Sequence, residues 1–316
     1  MFWNIFLYLL ILIVSLAVLI KSSDLFVAYA ERIGRAWGIP SFIIGITIIA
    51  FGTSLPELSS SIVAVIDGHS SIVLGSVIGS NITNVLLVLG IVAVMAKSIT
   101  LQLRVLDLDV PLLIVAAILS WFALSDGEFS FVEAILFLFA LASFIANTLA
   151  NKEEQEREIA PKVSWKSYLL LILSGIGVFL GAKYTVFGIK ELATLAHIKE
   201  EFIAITLVAL GTSLPEVMVS ISAVRQGKTD MAVGNIIGSN VFNTFAVLAI
   251  PSFFGALEIS PSILYFGLPF MVAITVLFGF ICVTGRISRW EGLMLLTLYA
   301  YFVYELVLEF LQESSG

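Results

Sequence analysis

The hexapeptide Gly52-Thr53-Ser54-Leu55-Pro56-Glu57 recurs 159 positions later as Gly211-Thr212-Ser213-Leu214-Pro215-Glu216, and each copy interrupts a long apolar run. At the same offset, Ile39–Ile91 matches Ile198–Ile250 without a gap, with 25 identities in 53 positions. The chain is therefore an internal duplication. Any fold it adopts must place the same carboxylate at the same point of two halves.

Composition sets the medium. Of 316 residues, 59% are hydrophobic and 12% charged, and the mean hydropathy is +1.08. Soluble domains carry roughly twice that charge. The chain reads as an integral membrane protein with little soluble mass. Its single cysteine, Cys282, excludes an intrachain disulfide, and two histidines without a Cys/His cluster argue against a zinc or iron site. No cofactor and no nucleic-acid partner is expected. The N-terminal run to Ile20 has neither a basic leader nor a cleavage site, so it reads as a first span rather than a signal peptide.

A span takes about 20 mostly apolar residues. Ten such stretches occur: 2–20, 40–66, 71–95, 108–124, 130–150, 166–185, 201–224, 231–254, 262–283 and 290–311. The polar insert 151–164 separates five spans from five. The predicted architecture is a first five-helix repeat over 1–150, a linker at 151–164, and a second repeat over 165–316. Five is odd, so the second copy enters the membrane from the opposite side. The fold class is an all-α membrane protein of ten helices, arranged as two inverted five-helix repeats with broken helices 2 and 7.

With the N-terminus outside, thirteen Lys and Arg fall on the inner side and only Lys183, Lys190 and Lys199 on the outer side. That bias places both termini outside and the 151–164 linker in the cytoplasm. Asp24 and Lys183 occupy equivalent positions with opposite signs. They are expected near helix ends, reaching the interface.

The repeated hexapeptide has a specific chemistry. Pro56 has no N–H for the Gly52 carbonyl, and Gly52 itself weakens a helix, so helix 2 should unwind around Gly52–Ser54. Broken backbone survives in a bilayer only when buried in protein or lining a wet cavity. The freed carbonyls, the hydroxyls of Thr53 and Ser54 and the Glu57 carboxylate are all oxygen ligands suited to hard cations such as Ca²⁺ and Na⁺. Thr212, Ser213 and Glu216 repeat the set. Ser54-x-x-Glu57 is also a capping box that could simply restart a helix. Against that, each Glu at the bilayer centre costs about 2.5–3.5 kcal/mol, and uncharged Gln would cap as well.

The following helix adds a polar row in each half. Ser76, Ser80 and Asn84 are four apart on one face, as are Asn235, Ser239 and Asn243. Asn84 and Asn243 are candidate cation ligands. Ser76, Asn81, Asn235 and Asn240 read as interhelical packing residues. Gly75, Gly79, Gly234 and Gly238 allow close helix approach.

Two GTSLPE motifs, each followed by a G-x-x-G-S-x-x-x-N helix, resemble the repeats of the sodium/calcium exchanger family, in the cation/Ca²⁺ antiporter superfamily. The strong match covers 39–91 and 198–250, about a third of the chain. The resemblance implies that Glu57 and Glu216 are central Ca²⁺ ligands shared with Na⁺. Thr53 and Thr212 would add carbonyls and hydroxyls, and the Ala50 and Ala209 carbonyls would help form outlying Na⁺ sites. Ser54, Ser213, Ser80 and Ser239 would complete those sites, with Asn84 and Asn243 flanking the centre. Helices 1 and 6 would slide as a gating pair, here the segments running up to Ala28–Arg35 and Gly188–Thr194. Potassium-dependent relatives, and some prokaryotic ones, carry Asp where this chain has Asn243, which argues against potassium dependence. It leaves proton coupling open, because a metal-free Glu in low dielectric takes up a proton.

The functional expectation is a secondary antiporter, not an enzyme, exchanging Na⁺ for Ca²⁺ by alternating access at one shared site. The alternative is a Ca²⁺/H⁺ antiporter on the same fold. An intramembrane hydrolase would need a catalytic arrangement the chain lacks, and a channel fits inverted repeats less well. Ten spans can enclose a site alone, so a monomer suffices, and the small cytoplasmic loop points to a prokaryotic plasma membrane, with an organelle membrane as the alternative.

Overall fold

The computed structural model describes residues 2–101, 105–150, 163–195 and 211–313. Its helices are α1 (Phe2–Ala36), α2 (Ser41–Ile66), α3 (Ser71–Ala96), α4 (Asp107–Leu124) and α5 (Phe131–Ala150), then α6 (Trp165–Leu195), α7 (Leu214–Arg225), α8 (Thr229–Ser252), α9 (Ile263–Cys282) and α10 (Arg289–Glu313). Among the described residues, nine helices are long and apolar enough to cross a membrane. The tenth, α7, is described from Leu214 only. The first half of its expected span and most of the 151–164 linker lie outside the described residues.

Eight helices end within a few residues of expectation. The exceptions are α1, expected over 2–20, and α6, expected over 166–185. At about 1.5 Å per residue, the 35 residues of α1 reach roughly 52 Å, well past a hydrocarbon core of about 30 Å. Hydropathy marks where lipid contact stops. A helix satisfies its own backbone and continues beyond that point. Asp24 and Lys183 consequently lie inside α1 and α6, not near their ends. Asp24 does not reach for the interface either: its carboxylate accepts the Ser222 hydroxyl of α7 at 2.5 Å.

Helix 2 also departs from expectation. The backbone stays helical through Gly52–Pro56, and the irregularity falls upstream as a π-turn over Gly45–Ile49. Pro56 still deprives the Gly52 carbonyl of its partner, but one missing bond bends a packed helix without unwinding it. In the second half, residues 211–213 form a turn and α7 begins at Leu214 with Pro215 in its first turn. Two further π-turns, Asn84–Val88 and Asn243–Val247, are related by the same 159-residue shift. Each starts on a candidate ligand, and π-turns concentrate at functional positions.

Helices α3 and α8 are buried along most of their length, whereas α1, α5 and α10 face largely outward. Between membrane helices association rests on close packing. Helix α8 crosses α2 backbone to backbone. A Cβ at Gly234 would lie 2.4 Å from the Phe42 carbonyl oxygen, and one at Gly238 2.4 Å from that of Ile46. Positions 201 and 205, the repeat equivalents that would face Gly75 and Gly79, lie outside the described residues.

Helices α1 and α6 pack lengthwise. Built Cβ atoms at Gly177, Gly181 and Gly188 would meet Ser22, Leu19 and Leu12, and Thr185 donates to Ser15 at 3.0 Å. Between this pair and the core lies an apolar cavity of about 710 Å³, lined among others by Phe26, Phe51, Gly52, Leu171, Gly175 and Phe179. A short antiparallel ladder, β1 (Ser98–Thr100) with β2 (Arg286–Ser288), ties the α3–α4 connection to the α9–α10 connection.

Candidate cation-binding site

The two hexapeptides and the two polar rows converge in the buried centre. Glu57 is 3% exposed and Glu216 fully buried, and the two carboxyl groups are neighbours. Ser80, Asn243 and Thr212 face Glu57, and Thr53 and Ser54 face Glu216. Thr212 and Asn243 thus come to Glu57 from the opposite half and Thr53 and Ser54 come to Glu216 from the opposite half, with Ser80 added from the half of Glu57 itself.

Hydrogen bonding shows which atoms are committed. The Asn84 amide donates to Asn240 Oδ1 at 3.0 Å, and the Asn243 amide donates to Ser80 Oγ at 3.2 Å. Ser80 and Ser213 share a hydroxyl–hydroxyl bond of 3.1 Å, and Thr53 Oγ1 lies 3.4 Å from both Ser239 Oγ and Asn235 Oδ1. Thr53 Oγ1 also donates to the Ala50 carbonyl at 3.2 Å. Asn235 is itself fixed by donation to Ser220 Oγ at 3.0 Å.

What remains uncommitted is uniform in kind. Both Oε atoms of Glu57, both of Glu216, Oδ1 of Asn84, Oδ1 of Asn243 and the Ser54 hydroxyl are buried without a hydrogen-bond partner. Native interiors satisfy nearly all such atoms, so a cluster of orphans marks the place of a ligand. The two Asn oxygens and the ionised carboxylates can only accept, which suits a positively charged ligand. Oxygen-only donors select hard cations. Among the described residues no ion pair reaches either Glu, and no cluster of three or more His, Cys, Asp and Glu exists.

The capping alternative does not describe this geometry. Ser54 lies inside a helix and caps nothing. Ser213 precedes α7 but makes no capping bond, its hydroxyl turning to Ser80 instead. Of the predicted residues, Glu57, Glu216, Thr53, Ser54, Thr212, Ser80, Ser213, Ser239 and Asn243 come together, Asn84 borders them through Asn240, and Ala50 joins through its carbonyl. Ala209 lies outside the described residues. Ser220 was not singled out, although it is identical to Ser61 in the repeat, and that identity was a usable signal.

The family model for sodium/calcium exchanger protein matches residues 7–150 and 166–308. The chain belongs to the sodium/calcium exchanger family. Among curated relatives of this family member, sodium/calcium exchanger MaX1 of Methanosarcina acetivorans is 34% identical, over 93% of this chain and 97% of that protein. Inner membrane protein YrbG of Escherichia coli is 31% identical, over 86% and 87%. Among solved structures, the sodium-calcium exchanger NCX_Mj, soaked with Na⁺ and Sr²⁺, superposes with a TM-score of 0.84 at 32% identity, over 95% of this chain and 98% of that one. As an exchanger-family protein the chain is a multi-pass cation/Ca²⁺ antiporter built from two inverted repeats, a secondary transporter without a cofactor and not an enzyme.

Proposed function

We propose that the protein exchanges Na⁺ for Ca²⁺, with both ions competing for the oxygens between Glu57 and Glu216. The observation that carries this reading is the cluster of buried acceptor oxygens that no protein group satisfies. Two carboxylates balance one Ca²⁺, and Asn at both 84 and 243 adds oxygen without further charge. Thr53, Thr212, Ser54, Ser213, Ser80, Ser239 and the Ala50 carbonyl supply the neutral ligands that Na⁺ needs. Sodium as the coupling ion is supported by the names of MaX1 and NCX_Mj.

Alternating access then rests on the α1–α6 pair. The two helices interlock through glycines, whereas a cavity separates part of the pair from the core, so the pair is the unit free to move. The Lys and Arg bias supports an orientation with both termini outside, in a prokaryotic plasma membrane. A single chain contains the whole constellation, so a monomer is the functional unit.

The test is radiolabelled Ca²⁺ uptake into proteoliposomes loaded with Na⁺, against K⁺- and choline-loaded controls at fixed pH. Uptake that needs internal Na⁺ and disappears in Glu57→Gln and Glu216→Gln supports the proposal. Uptake indifferent to Na⁺ and driven by a pH gradient replaces it with Ca²⁺/H⁺ exchange.

A further inference from the structure

Outside the central site, the described residues hold one connected charged network between the α1–α6 pair and the core. Glu31 of α1 pairs with Lys228 at 2.7 Å and with Arg35 at 3.0 Å. Lys228 donates to Gln226 Oε1 at 2.6 Å. Gln226 Nε2 reaches back to the Asp24 carbonyl of α1 at 3.0 Å and to Ser222 at 3.1 Å, and Ser222 donates to the Asp24 carboxylate. Acids on α1 thereby grip the turn between α7 and α8, whose Gly227 has φ +73°.

The repeat places an equivalent set on the opposite face. A shift of 159 carries Asp24 to Lys183, Glu31 to Lys190, Gln226 to Asp67 and Lys228 to His69. The turn itself is preserved, with Gly68 at φ +79°. The sign of the charges is not. Here the moving helix, α6, carries the bases and the turn carries the acid. Lys183, Lys190, Asp67 and His69 are exposed, and no ion pair joins them among the described residues.

We infer that these are two latches of reversed polarity, one per membrane face, which alternate as the α1–α6 pair moves. The inference rests on the alternating-access reading above. Glu31 with Lys228 and Asp24 with Gln226 and Ser222 form the latch closed in this structure. Asp67 with Lys183 and Lys190 forms the one that closes in the opposite state. Because α1 and α6 interlock, withdrawing Glu31 from one turn advances Lys190 on the other. Glu31 and Lys228 side chains are 18% and 15% exposed, wet enough for the pair to open during a cycle.

The test compares the apparent Ca²⁺ affinity on the two membrane faces in vesicles of known orientation. Glu31→Gln and Lys228→Gln are expected to shift the ratio of the two affinities by about threefold in one direction. Asp67→Asn and Lys190→Gln are expected to shift it the other way, and the swap Glu31→Lys with Lys228→Glu to restore it. Equal changes on both faces, or no rescue by the swap, overturn the inference. A second measurement does not depend on transport. In a Cys282→Ser background, the pair Glu31→Cys and Lys228→Cys and the pair Asp67→Cys and Lys190→Cys should each cross-link, and never both in one molecule. Simultaneous cross-linking, or a second pair that never forms under any ion condition, refutes the two latches. If wild-type vesicles show no Ca²⁺ exchange, the functional proposal fails, and the cross-links still decide this one.

Discussion

Phe26 of α1 lies against Gly52 of α2, so closely that a Cβ at position 52 would sit 2.5 Å from its Cζ. Position 52 is the first residue of the repeated hexapeptide, one residue from Thr53. The same ring contacts Gly175 of α6, where a built Cβ would stand at 3.4 Å. A single aromatic side chain of α1 therefore touches both α6 and the helix that carries Glu57.

Gly52→Ala forces that ring away or bends α2. Overpacking of this kind costs about 1–3 kcal/mol. The expected outcome is a lower melting temperature and slowed exchange, with recovery of both in Gly52→Ala combined with Phe26→Leu. A double mutant no better than Gly52→Ala alone would show that the two residues do not communicate.

Removing one central carboxylate has an effect on stability separate from transport. A ligand at a hundred times its Kd stabilises the native state by about 2.7 kcal/mol. Ca²⁺ should therefore raise the melting temperature of the wild type clearly. In Glu57→Gln and Glu216→Gln the shift should nearly vanish, while the ion-free variants melt no earlier than the wild type because the replaced carboxyl has no protein partner to lose. A full Ca²⁺ shift in either variant would remove that residue from the proposed ligand set.

Asn240 holds the Asn84 amide and leaves the Asn84 carbonyl oxygen available. Outer partners of a ligand typically change metal affinity by about 10- to 100-fold. Asn240→Ala should weaken Ca²⁺ binding within that range in a calorimetric titration, approaching the effect of Asn84→Ala. Unchanged affinity would mean that Asn84 needs no such support.

Gly238 sits at a close crossing of α8 and α2, with a built Cβ 2.4 Å from the Ile46 carbonyl oxygen and 2.7 Å from Ala50 Cβ. Gly238→Ala must separate α8 from α2, and with them Asn243 from the opposing hexapeptide. A drop of more than about 2 kcal/mol in stability is expected, read as loss of monodisperse folded protein on size-exclusion. Normal yield together with normal Ca²⁺ affinity would contradict it.

The parts of this fold that the sequence made readable are those written twice. The glutamates, the polar rows and the odd span count all follow from one offset. Less was readable where the local pattern answers a different question. Lys21 and Asp24 end a hydrophobic run, so the local pattern stops α1 at about half its length, although Ser222 of α7 gives Asp24 a partner. The unwinding expected from Pro56 assumed an isolated helix, whereas α2 is held in place by α8. Asn240 and Asn235 were assigned to packing, and packing is the hydrogen-bonded role they have, next to the candidate ligands. The π-turns have no residue-level signature, since Asn84-Val85-Leu86 would fit an ordinary helix equally well.

Those π-turns make each of α3 and α8 two screws of different phase joined end to end. One extra residue rotates everything downstream by about 100° relative to an uninterrupted helix. Upstream of Asn84, the face bearing Ser80 addresses Ser213. Downstream, the phase brings Gly90 against Leu296 and Gly292 of α10. The hydrophilic stripe and the lipid-side seam are thus indexed separately along one rod. Removing a single residue from 85–88 would leave every side chain chemically intact and still turn one set of contacts about a quarter-circle from its partners.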